Sequence, residues 1–476
     1  MSTNCTAPPT LLWLRRDLRL SDHPGWQKAV EGGGPVIPVF ILDPIFDAYG
    51  AAPKWRLGES LAALDADLRA RGSRLLLRRG DAAAVLDAVL DETGARRVVW
   101  SRLYDSASIE RDRKIKASLK ERGIDVESVN SSLLFEPWTV ETNTGGFYKV
   151  YSPFWRAVAQ RDLAEPIVAP GDLAPPASWP ASDDLASWRL GAAINRGAEI
   201  VARHAVVGET AARDRLDVFI DDRIDRYKSE RNVPSAHACS GLSENLTYGE
   251  ISPHTAWHAG VRARTERGHA AEAEHFLKEL VWREFAYHLI YHTPQIETEN
   301  WREGWDAFPW RDDNEDAERW RRGMTGVEMV DAGMREMYVT GVMHNRTRML
   351  TASFLTKHLM THWKVGEAWF RECLIDWDPA SNAMGWQWTA GSGPDAAPYF
   401  RIFNPDTQAD KFDSDRSYRH RFLDASGPGA HPDATAFFDA APRSWDICPQ
   451  GPYPEPVIGL AEGRHKALKA YEARSA

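Results

Sequence analysis

The chain has 476 residues, 43% hydrophobic and 26% charged, the composition of a globular protein large enough for two or three domains. Its 58 Lys and Arg against 68 Asp and Glu leave a net charge of -10, which by itself argues against a nucleic-acid partner, although a local basic face answers to nearby charge and not to the total. No apolar run reaches the roughly 18 residues of a membrane span. The start M-S-T-N-C-T-A-P-P-T has no basic-then-apolar leader, and Cys5, Cys239, Cys373 and Cys448 form no C-x-x-C pair, which speaks against a disulfide framework, a zinc site or an iron–sulfur cluster and for a cytoplasmic setting.

In chain order, T-L-L-W-L (10–14) and V-I-P-V-F-I-L (36–42) read as strands, separated by the helix stop and turn E-G-G-G-P (31–35). Residues 54–72 place Leu57, Leu61, Leu64 and Leu68 on one helical face and end on glycine. A strand at 73–78, a helix at 81–94, a strand at 97–100, a charged helix near 106–122 and a strand at 124–129 follow. This βα alternation predicts a doubly wound parallel sheet, Rossmann-like but without a G-x-G-x-x-G after its first strand. Five prolines in 164–180 mark a linker over the surface. Beyond about residue 190 the strand signal fades and amphipathic helices dominate. The expected architecture is an α/β domain (1–135), a linker (136–200) and a large all-α domain (201–476).

Within the helical half, M-H-N-R-T-R-M (343–349) lies in a helical stretch. Asn345 and Met349 share a face there while Arg346 and Arg348 point elsewhere. From Met334 to Lys364 there are five Lys/Arg (335, 346, 348, 357, 364) and one acid, Glu336, a near single-signed surface suited to phosphate. A solvated basic face is the blander reading. A-C-S-G-L-S-E-N-L-T-Y-G-E-I-S-P (238–253) is hydroxyl-rich around a glycine and suits phosphate, though a capping box explains much of it. In E-L-V-W-R-E-F (279–285) the default is an internal salt bridge on a helix surface. D-W-D-P-A-S-N-A-M-G-W-Q-W (376–388) packs three of the chain's 20 tryptophans beside two aspartates and an asparagine. Pro379 can open a helix with Asp378 as N-cap. That leaves Asp376 and Asn382 unexplained, whereas a flat ring with a polar edge accounts for both.

Together these motifs resemble the DNA photolyase/cryptochrome family, and most of all its class I members that repair cyclobutane pyrimidine dimers. The likeness starts at L-L-W-L-R-R-D-L-R-L-S-D-H (11–23) and runs through W-R-E-F, T-G-V-E-M-V-D-A-G-M-R (325–335) and M-H-N-R-T-R-M. It ends at G-W-Q-W-T-A-G-S-G-P-D-A-A-P-Y-F-R-I-F-N-P (385–405). The resemblance implies FAD in the helical domain and light-driven electron transfer from reduced flavin to a dimer flipped out of DNA. It implies FAD contacts from Tyr227, the segment Cys239, Ser240, Gly241, Leu242 and Ser243, and from Phe276, Arg283, Arg348, Asp376, Asp378 and Asn382, with Arg348 paired to Asp376 and Asn382 facing flavin N5. It assigns Glu279 to the dimer bases, Trp282 and Trp388 to the lesion walls, Asn345 and Met349 to the same pocket, and Arg231, Arg346 and Gln408 to DNA. Trp386, Trp363 and Trp310 match an electron-transfer chain. UV-damaged DNA is the implied partner, with no metal, no membrane and no obligate protein partner, and the protein is expected to be a monomer.

The chain departs from the family pattern in three places. Cys239 stands where the family has threonine, His23 where it has asparagine, and Ala107 and Ser108 where folate-binding members carry asparagine and glutamate, which leaves any antenna chromophore unassigned. The alternatives are a signalling cryptochrome, a (6-4) photoproduct photolyase and a non-enzymatic flavin- or nucleotide-binding module. Asparagine at 382, the full lesion-pocket set and an end soon after P-Y-P-E-P-V-I (452–458) speak against signalling. The absence of histidine at 345 and 349 speaks against (6-4) repair.

Overall fold

Five strands run parallel in the order β3-β2-β1-β4-β5, so the chain begins in the middle of its sheet and works outward twice. They are β1 (Thr10–Leu14), β2 (Val36–Leu42), β3 (Leu76–Arg79), β4 (Arg97–Ser101) and β5 (Asp125–Val129). In register, Thr10 stands beside Val36 on one side and Arg97 on the other. The computed structural model describes residues 7–194, 196–266, 268–395 and 400–474. Cys5, with most of the start read for a leader, and the A-A-P-Y stretch (396–399) of the last motif lie outside them.

β1 is buried along its whole length, as a strand covered by helices on both faces must be. The covering helices are α1 (Pro24–Val30), α2 (Ala51–Arg69), α3 (Ala82–Thr93) and α4 (Ser106–Glu121). Leu57, Leu61, Leu64 and Leu68 are all buried on α2. Asp81 caps α3 and Gly94 stops it in the left-handed conformation. Ser108, one of the two folate-position residues, is buried in the first turn of α4, its N–H held by the capping Asp105 at 2.9 Å.

The strand order reverses between β1 and β4, where open α/β sheets generally bind ligands. Here the crevice is filled from within. Arg15 donates to Asp112 (3.0 Å) and to the Ser101 carbonyl, while Asp17 accepts from the Ser101 hydroxyl and pairs with His23 (2.9 Å). Burial alone would raise the Asp17 carboxyl, but His23, the Arg15 N–H and the Arg15 guanidinium hold it well below the usual range.

The proline-rich segment 164–180 has neither helix nor strand and returns over the sheet, with Ile167 N–H on Asp22 (3.0 Å) and Leu173 N–H on the Arg71 carbonyl (3.1 Å). Beyond it no strand forms among the described residues, apart from an isolated bridge between Arg311 and Thr361. The helices that build the site are α5 (Ser243–Tyr248), α6 (Ala270–His292), α7 (Glu328–Thr340), α8 (Asn345–Ser353), α9 (Trp363–Cys373), α10 (Pro379–Ala390) and α11 (Pro405–Phe412). None of the described helices is long and apolar enough to cross a membrane.

The stretch from 334 to 364 corrects the expectation of a continuous basic surface. Arg335 is buried on α7 against Phe437 and the Gly323 carbonyl. Lys357 is buried in a π-helical turn (Phe354–His358), over the Phe400 ring. M-H-N-R-T-R-M is also no mid-helix segment: His344 is the N-cap of α8, its ring accepting from the Arg346 N–H.

Candidate active site

One cavity of about 1510 Å³ opens among α5, α6, α8 and α10. It exceeds the roughly 300–1,000 Å³ of a single small-molecule site, leaving room for more than one ligand. Tyr227, Cys239, Ser240, Gly241, Leu242, Ser243, Phe276 and Arg283 line it, as do Arg348, Asp376, Asp378 and Asn382. So do Arg231, Glu279, Trp282, Asn345, Arg346, Met349, Trp386 and Trp388. Trp363, Trp310 and Gln408 do not.

Asp376 and Asp378, two residues apart, behave differently. Asp376 accepts from Arg348 Nη2 at 2.7 Å through Oδ2, while its Oδ1 is buried with no partner in the protein. A buried carboxylate oxygen left open on a cavity wall calls for a donor from a ligand. Asp378 has both oxygens engaged: Oδ1 accepts from Ser381 N–H (2.8 Å) as N-cap of α10, and Oδ2 accepts from Arg16 Nη2 (2.6 Å) and the Tyr287 hydroxyl. Burial alone would raise its carboxyl, but Arg16, Arg283, Tyr287 and Ser381 hold it below the usual range. Both of its oxygens are thus held by the protein, and the residue still lines the cavity.

Asn382 lies one turn into α10. Its amide Nδ2 donates to Glu367 Oε1 at 2.8 Å, which fixes the side chain from behind the cavity. Burial raises the Glu367 carboxyl. Nothing in the sequence marked Glu367, because it approaches from α9.

Glu279 pairs with Arg231 across two elements, while the salt bridge expected within 279–285 forms between Arg283 and Glu284 at 3.0 Å. Arg231 in turn lies over the Tyr227 ring at 5.3 Å. Trp282 stacks on Tyr151 with ring centres 3.7 Å apart and 6° between planes. Tyr151 was missed in the sequence, where it sits in an aromatic run read only as linker. Trp388 also lines the cavity, its Nε1 donating to the Asp395 carbonyl at 3.1 Å.

The α8 arginines do not point away as a helical wheel suggests. Asn345, Arg346, Arg348 and Met349 all line the cavity, because two of them open the helix and long arginine stems reach around it. Arg346 donates to Asn232 (2.6 Å) and lies over Phe412 at 4.6 Å. Gln408 shares α11 with Phe412, one turn away, and so stands beside Arg346 without reaching the cavity; its Oε1 is buried without a partner.

The hydroxyl segment opens α5 without the expected capping box: no side chain caps that helix. Arg215, also unmarked in the sequence, braces the segment through Glu244 (2.7 Å) and Asn245 (3.1 Å). The Cys239 thiol faces the Arg231 carbonyl and His344, and burial pushes its pKa up.

Trp386 is buried at the cavity wall, with Phe370 at 4.8 Å. Its ring fits because residue 366 is glycine; a Cβ there would lie 2.0 Å from the indole. Gly366, against which the Trp386 ring lies, is one turn from Trp363 on α9. His362 then bridges outward, 5.5 Å from the Trp363 ring and 5.4 Å from that of Trp310, which is half-buried.

Residues 10–172 match the family model described as DNA photolyase, and residues 276–473 match that described as the FAD binding domain of DNA photolyase. The deoxyribodipyrimidine photo-lyase of Agrobacterium fabrum is 44% identical over 470 residues, covering 98% of both proteins. Cryptochrome-1 of Arabidopsis thaliana is 32% identical over 96% of this chain and 70% of its own length. Among solved structures, a bacterial class III photolyase from Agrobacterium tumefaciens superposes with a TM-score of 0.90 at 42% identity, covering 100% of this chain and 99% of that one. The similarity to a class III enzyme does not support the class I likeness expected from the motifs. With its sheet region and its cavity-bearing helices both matched, the chain belongs to the DNA photolyase/cryptochrome family and carries that family's FAD-binding domain.

Proposed function

We propose that this protein repairs cyclobutane pyrimidine dimers in DNA by light-driven electron transfer, with the cavity holding FAD and the flipped-out dimer together. The observation that carries the reading is a single cavity lined by the open Asp376 carboxylate, Asn382, Glu279, Trp282 and Trp388 together. The donor set fits a flavin: Asp376 and Asn382 offer polar partners to a ring edge, and the Ser240–Ser243 segment offers hydroxyls and backbone N–H groups to phosphates. When bound and reduced, FAD supplies the photoexcited electron.

The chain's own residues do the rest. Arg348 holds Asp376 in place, and Glu367 holds the Asn382 amide. Glu279, charge-paired with Arg231, presents a carboxylate to the dimer's N–H groups. Trp282, backed by Tyr151, and Trp388 stack on extruded bases, each stack contributing about 1–3 kcal/mol. Arg231 and Arg346 meet the DNA backbone, with Gln408 beside them. Trp386, Trp363 and Trp310 form the route by which oxidised flavin is reduced from the surface. In this reading residues 1–135 are the antenna domain, 136–200 the linker and 201–476 the catalytic domain, and the protein acts as a cytoplasmic monomer.

Illumination of the reduced protein with a dimer-containing oligonucleotide tests the proposal: dimer loss above a dark control is expected, and intact dimers would overturn it. Changing Glu279→Ala should lower repair while flavin stays bound, removing a charge-assisted hydrogen bond of about 1.5–3 kcal/mol. Loss of FAD instead would show that the residue is misplaced. Binding to the oligonucleotide should weaken as salt rises. A cryptochrome-type photoreceptor is the second reading, favoured by the 32% identity to a plant cryptochrome; flavin photochemistry without dimer loss would select it.

A further inference from the structure

Arg16 follows β1 at the edge of the closed crevice and lines no part of the cavity. Its guanidinium nevertheless crosses to the helical region. Nη2 donates to Asp378 Oδ2 at 2.6 Å and Nε to the Thr247 carbonyl at 2.9 Å. Both Arg16 and Asp378 side chains are 7% exposed, so the pair is shielded from solvent.

Three more ties hold the same stretch from the sheet side. The Tyr49 ring packs edge-on against Trp377 at 5.0 Å. Ala51 N–H donates to Glu372 at 3.1 Å. Gly50 lies so close to α9 that a Cβ would stand 2.1 Å from the Arg371 carbonyl. The turn from 371 to 378, which delivers Asp376 to the cavity and starts α10, is thus clamped by the α/β region. Asn382 stands one turn beyond the Asp378 cap, so an error at the cap propagates to it.

We propose that Arg16 is a positioning residue for the cofactor cavity. By fixing Asp378 it sets the turn that aims Asp376 and Asn382 inward, so that FAD affinity depends on how the sheet region docks. The inference rests on the flavin reading above. Arginine suits the task because its fork reaches two acceptors at once; lysine at this position keeps the charge and loses the Thr247 bond.

Arg16→Gln, Arg16→Lys and the double variant Arg16→Gln/Asp378→Asn in the full chain provide the test. The readouts are FAD affinity of the apoprotein, the shape of the bound flavin absorption band and the apoprotein melting temperature. Arg16→Gln is expected to weaken FAD binding at least about tenfold, equivalent to about 1.4 kcal/mol, and to alter the band. Arg16→Lys recovers part of the affinity. The double variant leaves no unpaired buried carboxylate, so it recovers the melting temperature while its FAD affinity stays low, and it serves in place of the single variant should that fail to fold. Parent-like affinity and band shape in both Gln variants would overturn the inference alone. Restoration of affinity together with stability in the double variant would also overturn it, reducing Arg16 to charge balance. A parent protein that takes up no FAD would overturn the flavin reading and this inference with it.

Discussion

At the carboxyl ends of β1 and β4, Arg15, Asp17, His23 and Ser101 are bonded to one another or to Asp112. In the helical cavity, Asp376 Oδ1 and Trp386 Nε1 are buried with no protein partner. Both places are where a fold of this kind can take a ligand, and both hold buried polar atoms without a hydrogen-bond partner, Arg15 Nε at the crevice among them, but the second sets an open carboxylate oxygen, Asp376 Oδ1, beside a cavity of about 1510 Å³. Topology alone points to the sheet crevice. The cavity and the open carboxylate on its wall point to the helices, and function follows the site rather than the fold. The crevice serves the cavity in another way, by sending Arg16 across to it.

The most drastic way to break this contrast is at the cavity wall. Trp386→Phe should abolish photoreduction of oxidised flavin while repair by chemically reduced protein persists. Photoreduction at the parent rate would mean that another route feeds the site.

A smaller effect is expected where the two regions are bolted together. Arg56 on α2 is fully buried and pairs with Glu250 (2.6 Å) and Glu244 (3.1 Å). Arg56→Met leaves the buried Glu250 carboxylate without its cation, while Glu244 keeps Arg215 at 2.7 Å, and should cost about 3–5 kcal/mol, seen as a lower melting temperature. The flavin band should not change, which separates holding the regions together from shaping the cavity. A parent-like melting curve would show that the pair contributes nothing net.

The smallest effect is expected at Glu297, near Glu367 and Asp378. Glu297 is pushed up to about 7 by burial, with Asp105, Glu367 and Asp378 adding repulsion. In the unfolded chain it titrates near 4.5, so between the two values the folded protein holds a proton that the unfolded chain releases. Stability from this group is full below 4.5 and is lost as pH rises through about 7. Glu297→Gln should flatten that decline in denaturant unfolding followed across the interval. An unchanged slope would assign it to other groups.

Much of the sheet was legible because its signals are local. β1 and β2 fall on the apolar runs read as strands, and the α2 leucines and the α3 cap follow from spacing and from glycine. The cavity was legible only in its chemical inventory. Motif likeness named most of its residues, Arg348 beside Asp376 among them, but the helical wheel turned Arg346 and Arg348 away from the cavity they line, and no local pattern showed that Arg335 and Lys357 are buried.

The sequence by itself determined where strands and helices form and which side chains are available for chemistry, because periodicity, caps and turn residues act over a few positions along the chain. Only the tertiary structure decided which polar atoms are satisfied and which stay open, since the partners come from far away: Arg16 for Asp378, Glu367 for Asn382, Tyr151 for Trp282. A hydrogen bond or a ring stack is fixed by distance in space, and no local pattern carries that distance.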